Sequence, residues 1–252
     1  MTGVFDAQAV LFDLDGVLTD TAAVHRRAWS ALFTEFLPRV APDAAPYTDA
    51  DYFALVDGKA RAAGARSVLG SRGVTVPDGT PQDPPDAQTV YGLGNRKNLC
   101  FTEIIGSDGV EVFDGSLRLL DALTAAGIPM AVVSSSRNAV LVLGTAELLD
   151  RFAVIVDGVV AQDEHLAGKP APDMFLTAAH VLGVDPVRTV VIEDAASGVE
   201  AGHRGGFRVI GVDRGIGAAA LRAAGADVVV SDLADLLEDR IERRRPATSG
   251  NI

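Results

Sequence analysis

The sequence has few cysteines, few aromatic residues and no long apolar run. Its single cysteine, Cys100, excludes a disulfide framework, and a reducing compartment suits such a chain. The sequence does not open with charged residues followed by an apolar stretch as long as that of a signal peptide, and no apolar run is long enough to span a bilayer. We therefore expect a cytoplasmic protein with no membrane partner.

Positive charge is also scarce. The chain has 22 Lys and Arg residues against 34 Asp and Glu, a net charge of -12. This balance argues against nucleic acid or an anionic membrane as a partner. An acidic protein can still bind an anionic small molecule if local cations or a metal ion hold it. With 252 residues, 48% of them hydrophobic, the chain can bury a large core in one or two domains, and we expect a monomer.

The order of the predicted elements indicates a parallel sheet. Apolar residues 9–12 are typical of a buried strand, and from residue 110 onward predicted helices and strands alternate. The segment between these two parts has helical periodicity interrupted by proline-rich connections. We therefore predict an α/β fold, a Rossmann-like three-layer parallel sheet core with an inserted small helical cap domain. The predicted core is 1–20 and 108–242, the cap is 21–107, and 243–252 is a disordered tail.

Within the cap, the apolar spacing predicts a first helix over 21–36. Residues 71–87 contain repeated glycine and proline and are predicted to be a loop. A further helix is predicted over 96–105, and another over 138–149 after the second strand. Ser197 is expected either to cap the helix that follows the fourth strand or to touch a ligand.

Polar residues follow several of the predicted strands. Asp13 and Asp15 share one side of the extended chain, and two such charges repel unless a cation or a proton lies between them. The carboxyl edge of an open parallel sheet is where ligands bind. The same edge is predicted to receive Ser134, Lys169, Glu193 and Asp194. Carboxylates suit Mg²⁺, while a serine before a helix and a lysine suit phosphate, so the pattern indicates metal-assisted phosphoryl transfer.

Four segments resemble the motifs of the haloacid dehalogenase superfamily. They are DLDGVLTD at 13–20, Ser134, GKPAPD at 168–173 and IEDAASG at 192–198. They occur in the order of that superfamily and spread over nearly the whole chain. The insert after the first motif resembles the superfamily's small helical cap.

Within the superfamily, the sequence resembles the β-phosphoglucomutase-like subfamily. His25 follows the first motif at that subfamily's spacing, and segments 57–61, 96–98 and 134–138 resemble its substrate-facing stretches. Ser135 and Arg137 depart from the alanine and lysine that are usual there, and 71–87 lengthens the cap.

The resemblance implies a role for each residue. Asp13 is expected to be the nucleophile that forms an aspartyl-phosphate, Asp15 the general acid and base, and His25 the residue that sets the position of Asp15. Ser134 and Lys169 are expected to hold the transferring phosphoryl oxygens. The implied metal ligands are Asp13, the main-chain carbonyl of Asp15 and Asp194. Glu193 is expected to bind the metal directly or to contact one of its ligands. The implied substrate-binding residues are Arg61, Lys97, Asn98, Ser136, Arg137 and Asn138.

The expected activity is Mg²⁺-dependent phosphoryl transfer to and from a small sugar phosphate. A β-phosphoglucomutase would interconvert β-glucose 1-phosphate and glucose 6-phosphate through β-glucose 1,6-bisphosphate, which also primes it. The alternative is a phosphatase for sugar phosphates or other small phosphate monoesters. A remote alternative is a non-catalytic phosphate-binding regulatory module, against which Asp15 argues, because a phosphate acceptor needs no leaving-group acid.

Overall fold

Six parallel strands form one sheet at the centre of the protein. The computed structural model describes residues 3–237, so the predicted tail at 243–252 and the end of the predicted core segment lie outside the described residues. The strands are β1 Ala9–Phe12, β2 Met130–Val133, β3 Val154–Val156, β4 Thr189–Glu193, β5 Arg208–Val212 and β6 Val228–Val230. Their order across the sheet is β3-β2-β1-β4-β5-β6, and every neighbouring pair is parallel. The predicted Rossmann-like parallel sheet is therefore confirmed.

Helices cover both faces of this sheet. Because side chains alternate along a strand, Val10 and Phe12 belong to one apolar cluster while Leu11 between them belongs to another. The described helices are α1 Thr21–Val40, α2 Asp49–Asp51, α3 Arg61–Ser71, α4 Val90–Asp108, α5 Asp114–Ala126, α6 Ala139–Thr145, α7 Gly158–Asp163, α8 Asp173–Leu182, α9 Ala196–Arg204 and α10 Ala218–Ala224. A π-helical turn, Tyr52–Val56, follows α2. Between residues 3 and 237, no helix has both the length and the apolar character needed to cross a bilayer.

The helices between β1 and β2 enclose an apolar cluster of their own. It is built around Trp29, Phe33, Val68 and Leu93, separate from the two clusters on the sheet faces. Stacking of Trp29 on Phe33, with ring centroids 5.5 Å apart, contributes to it. This separate cluster supports the division into core and cap, and the boundaries at 21 and 107 stay a prediction.

Two predicted cap helices are longer than the sequence pattern indicated. The first does not stop at Phe36 but continues to Val40 through Pro38, because buried Leu37 packs in the cap cluster and holds the last turn. The second begins at Val90 rather than Arg96. Two glycines obscured its periodicity, but the Thr89 side chain accepts a hydrogen bond from Gly92 N and caps it.

Helix α6 is shorter than predicted, and α7 was missed. The former occupies Ala139–Thr145 within the predicted 138–149. The latter follows β3, where the Asp157 carboxylate accepts hydrogen bonds from the main-chain N–H groups of Val159 and Val160. That aspartate is an N-cap signal which could have located α7 from sequence.

Helix α5 offers a matched test of the core. Leu119 is fully buried against the sheet, whereas Leu117 is 37% exposed on the same helix. We expect Leu119→Ala to lower the free energy of unfolding by about 2–5 kcal/mol, because it removes buried apolar surface and leaves a cavity. Leu117→Ala, the control, should cost less than about 1 kcal/mol. Chemical denaturation measures both, and equal losses would contradict this packing.

Candidate active site

Three buried carboxylates meet at the carboxyl edge of the sheet. Asp13 directly follows β1, Glu193 ends β4 and Asp194 follows it. Because β1 and β4 are parallel neighbours, their carboxyl ends lie side by side. Asp13 is 7% exposed, Glu193 0% and Asp194 6%, and one oxygen from each lies within 4.8 Å of the others. Gly16, with φ +88°, allows this approach, since a Cβ there would overlap the Asp194 carboxylate.

Lys169 places a positive charge inside this cluster. Its Nζ donates to Asp13 Oδ1 at 2.5 Å, to Glu193 Oε1 at 2.5 Å and to the carbonyl of Val133 at 2.9 Å. Its three donors thus all have acceptors, and its side chain is fully buried. The predicted convergence of Lys169 with the strand ends is therefore observed.

The second strand contributes a hydroxyl to the same edge. Ser134 follows β2 and is 1% exposed. Its Oγ accepts a hydrogen bond from Ser136 N at 3.1 Å, which fixes it at the floor of the cavity that Asp13 also lines. A hydroxyl here can donate to an oxygen of a bound anion.

The cluster holds more negative than positive charge. Burial raises the pKa of Asp13 well above its usual value, and Lys169 only partly counters this. Burial and the nearby carboxylates of Asp57 and Asp13 likewise raise the pKa of Asp194. For Lys169, burial acts to lower the pKa, but Asp13 and Glu193 outweigh it and raise that pKa.

This arrangement fits a divalent cation. When ionised, the carboxylates of Asp13, Glu193 and Asp194 carry three negative charges against one on Lys169, leaving two uncompensated. Buried like charges are unfavourable unless a cation or protons neutralise them. Oxygen donors of this kind are those that Mg²⁺ binds.

The Asp15 side chain is held by residues at the start of α1. Its Oδ1 accepts a hydrogen bond from the Thr21 hydroxyl and lies 3.4 Å from His25 Nε2. Burial acts to raise the pKa of Asp15, but His25 and Thr21 outweigh it and lower that pKa. Asp15 is therefore held ionised, which is the form that accepts a proton. Its predicted metal contact concerns only the main-chain carbonyl and stays a prediction.

Lys97 lies behind His25 rather than free in the pocket. It is 3% exposed, and its Nζ is hydrogen-bonded to His25 Nδ1. The Lys97 Nζ also lies 4.6 Å from the ring centre of Phe101, on which His25 stacks. Burial, and next the charge of Arg61, lower the pKa of Lys97 well below its usual value. Lys97 lines the cavity and also orients the histidine next to Asp15.

The opposite end of the site is cationic. Arg61 opens α3 and Arg137 follows β2, and both line the same cavity as Asp13, together with Ser136. Burial, and then the neighbouring charge of Arg137, lower the pKa of Arg61 to about 10. Within residues 3–237, neither arginine has a carboxylate within salt-bridge distance. Two guanidinium groups without such partners can receive a dianion.

Asn98 links this end of the cap to the core. Its Oδ1 accepts from Arg61 Nη2 at 2.7 Å and from Asn138 Nδ2 at 2.7 Å. Asn98 and Asn138 do not line the cavity, so they position the cations and the loop around it. Their predicted direct contact with substrate stays a prediction.

Asp57 was not among the predicted site residues. It projects from the cap into the cavity that Asp13 and Asp194 line. Burial, followed by the charge of Glu193, raises the pKa of Asp57 to about 6. It lies in the segment 57–61 that resembles a substrate-facing stretch, but no local pattern indicates that its carboxylate lies beside the acidic cluster.

The cavity between the two ends is small. Its volume is about 60 Å³, well below the roughly 300–1,000 Å³ that is usual for small-molecule pockets. The cap is therefore closed against the core, and the cavity between them leaves little room for a ligand.

Comparison with known proteins gives a consistent result. Residues 7–206 match the family model described as haloacid dehalogenase-like hydrolase. The chain is 54% identical over 240 residues to a β-phosphoglucomutase of Mycobacterium bovis, covering 91% of each chain. It is 34% identical to a β-phosphoglucomutase of Bacillus subtilis, again with 91% of each covered. A crystal structure of β-phosphoglucomutase from Clostridium difficile superposes with a TM-score of 0.75 at 25% identity, covering 94% of this chain and 96% of that one.

The acidic cluster predicts stabilisation by metal. We expect saturating MgCl₂ to raise the free energy of unfolding by about 2.7 kcal/mol at 100 times the dissociation constant, because the cation binds the folded cluster only. Thermal unfolding in MgCl₂, against NaCl of equal ionic strength, measures this. Asp194→Asn should remove most of the effect, whereas Asp163→Asn, an exposed control, should keep it. A magnesium response unchanged in Asp194→Asn would contradict this site.

Proposed function

The chain belongs to the haloacid dehalogenase-like hydrolase family, and on that premise we propose that it is a β-phosphoglucomutase. It would interconvert β-glucose 1-phosphate and glucose 6-phosphate through β-glucose 1,6-bisphosphate, which would also prime the enzyme. The observation that carries this proposal is a single cavity lined both by Asp13, the proposed nucleophile, and by two arginines, Arg61 and Arg137.

The acidic end supplies the groups that phosphoryl transfer needs. Asp13 attacks phosphorus, and Lys169 on its Oδ1 orients the carboxylate and offsets charge on the phosphoryl oxygens. Ser134 donates to those oxygens from the next strand. Mg²⁺, which Asp13, Asp194, Glu193 and the Asp15 carbonyl would hold, would offset phosphoryl charge further.

Asp15 is the general acid and base of the proposed reaction. When a sugar hydroxyl attacks the phosphorus on Asp13, the ionised carboxylate of Asp15 takes the proton of that hydroxyl. When Asp13 then attacks the other phosphate of the bisphosphate, Asp15 gives this proton to the sugar oxygen that leaves. Thr21 and His25 hold Asp15 in place, and Lys97 fixes the histidine from behind. A regulatory phosphate acceptor does not need this assembly, because it needs no leaving-group acid.

The cationic end favours a mutase over a phosphatase. A mutase must hold a bisphosphate at both ends, so that either phosphate can face Asp13. Arg61 and Arg137 are placed to bind the distal phosphate, and Ser136 lies beside them. A phosphatase needs only the acidic end. The proposed partner is thus a small sugar phosphate, while the monomeric state and the cytoplasmic location stay predictions.

Activity on defined substrates tests the proposal. Purified protein with Mg²⁺, β-glucose 1-phosphate and a trace of β-glucose 1,6-bisphosphate should form glucose 6-phosphate, measured by coupled oxidation. Asp13→Asn should lower turnover by about 10⁴-fold or more, because the nucleophile is lost. Release of inorganic phosphate without glucose 6-phosphate would instead identify a phosphatase.

The distal cations are tested separately. Arg61→Ala should lower isomerisation by about 10- to 100-fold, the size of a lost charge-assisted hydrogen bond to phosphate. Hydrolysis of p-nitrophenyl phosphate, which has no second phosphate, should change by less than about threefold. Arg66→Ala, on the same helix and pointing to solvent, is the matched control. An equal loss of both activities in Arg61→Ala would show that this arginine does not specifically bind the distal phosphate.

A further inference from the structure

One turn of the cap, Asp57-Gly58, is hydrogen-bonded to two separate segments of the core, a loop and the first turn of α9. Ser135 Oγ donates to the Gly58 carbonyl at 2.9 Å, and Ser197 Oγ donates to the Asp57 carbonyl at 3.2 Å. The two acceptors are consecutive carbonyls of one turn. The two donors lie 62 positions apart in sequence and come from the segments after β2 and β4.

The turn touches the core closely. Gly58 has φ +68°, and a Cβ there would overlap the Ser197 hydroxyl and the Ala195 side chain. Only a residue without a side chain lets the cap backbone lie directly on the loop after β4. The hydrogen bonds of both serines therefore depend on this one approach.

The two serines stand next to the reacting groups without being among them. Ser135 follows Ser134 at the cavity floor, and Ser197 lies three residues after Asp194. Ser197 does not cap α9, whose N-cap is Ala195, so that prediction is wrong. Ser197 does not line the cavity, and its predicted contact with a ligand stays a prediction. Both bonds cross the boundary between cap and core, so an opening of the cap would break them.

We propose that Ser135 and Ser197 form a hydroxyl clamp, defined by their bonds to Asp57 and Gly58, which keeps the cap closed during phosphoryl transfer. This inference rests on the proposed function. In the closed state the bond from Asp13 oxygen to phosphorus breaks as a bond from a sugar hydroxyl forms, and that hydroxyl's proton passes to Asp15. In the open state water takes the place of the sugar, and inorganic phosphate is released. The clamp thus sets the ratio of isomerisation to hydrolysis, and its serines act as positioning residues.

Serine-to-alanine variants test the clamp. Ser135→Ala and Ser197→Ala should each raise the phosphate released per glucose 6-phosphate formed by about fivefold, the effect of one neutral hydrogen bond. The double variant should raise it by more than either alone. Ser107→Ala, on an exposed part of α4, should leave the ratio unchanged. Ser135→Thr keeps the hydroxyl and should stay within about twofold of the parent.

A second measurement does not depend on turnover. Hydrogen exchange of the peptide covering 52–60, read by mass spectrometry, should be faster in Ser135→Ala and Ser197→Ala than in the parent or Ser107→Ala. Unchanged exchange together with an unchanged ratio would overturn the clamp. If exchange is faster in the variants but the parent forms no glucose 6-phosphate, the clamp is retained and the mutase is rejected. If the parent isomerises its substrate but the variants change neither measurement, the mutase is retained and the clamp is rejected.

Discussion

The buried contact of Lys169 with Asp13 and Glu193 is the interaction on which the site depends. Parallel pairing of β1 and β4 brings their carboxylates together at one sheet edge, where burial and mutual repulsion disfavour charge. The ammonium group relieves part of that repulsion and is itself fully satisfied by three acceptors. Removing one partner from such a buried group costs about 3–5 kcal/mol, so the loop carrying Lys169 is bound to the strands it serves.

The core and the cap contribute different chemistry to one cavity. The core strands supply the carboxylates, Ser134 and Lys169, all fixed to a sheet edge. The cap supplies Arg61, Lys97 and Asp57, which line the same cavity. This division places the acidic cluster on the sheet and the arginine and lysine of the cap opposite it, on a separately packed set of helices.

Closure of the cap brings both favourable and unfavourable contacts. Asp57 is buried in a region already rich in carboxylates, and burial, followed by the charge of Glu193, raises its pKa to about 6. Polar bonds across the boundary, such as Asn98 with Asn138, act in the opposite direction. A cation in the acidic cluster would shift this balance towards the closed state, because it neutralises the charges that Asp57 meets.

The parallel sheet, its helical layers and the residues at its carboxyl edge could be predicted from the amino-acid sequence. Apolar runs such as 9–12 and their alternation with helices are local signals, and parallel pairing places every strand end at one edge. Which of these groups contact one another depends on the packing of the folded chain. Lys97 is hydrogen-bonded to His25 while it lines the cavity, Pro38 lies inside α1, and Asp57 lines the cavity beside the acidic cluster. Each of these outcomes depends on packing between segments far apart in the chain. Local periodicity does not predict such contacts.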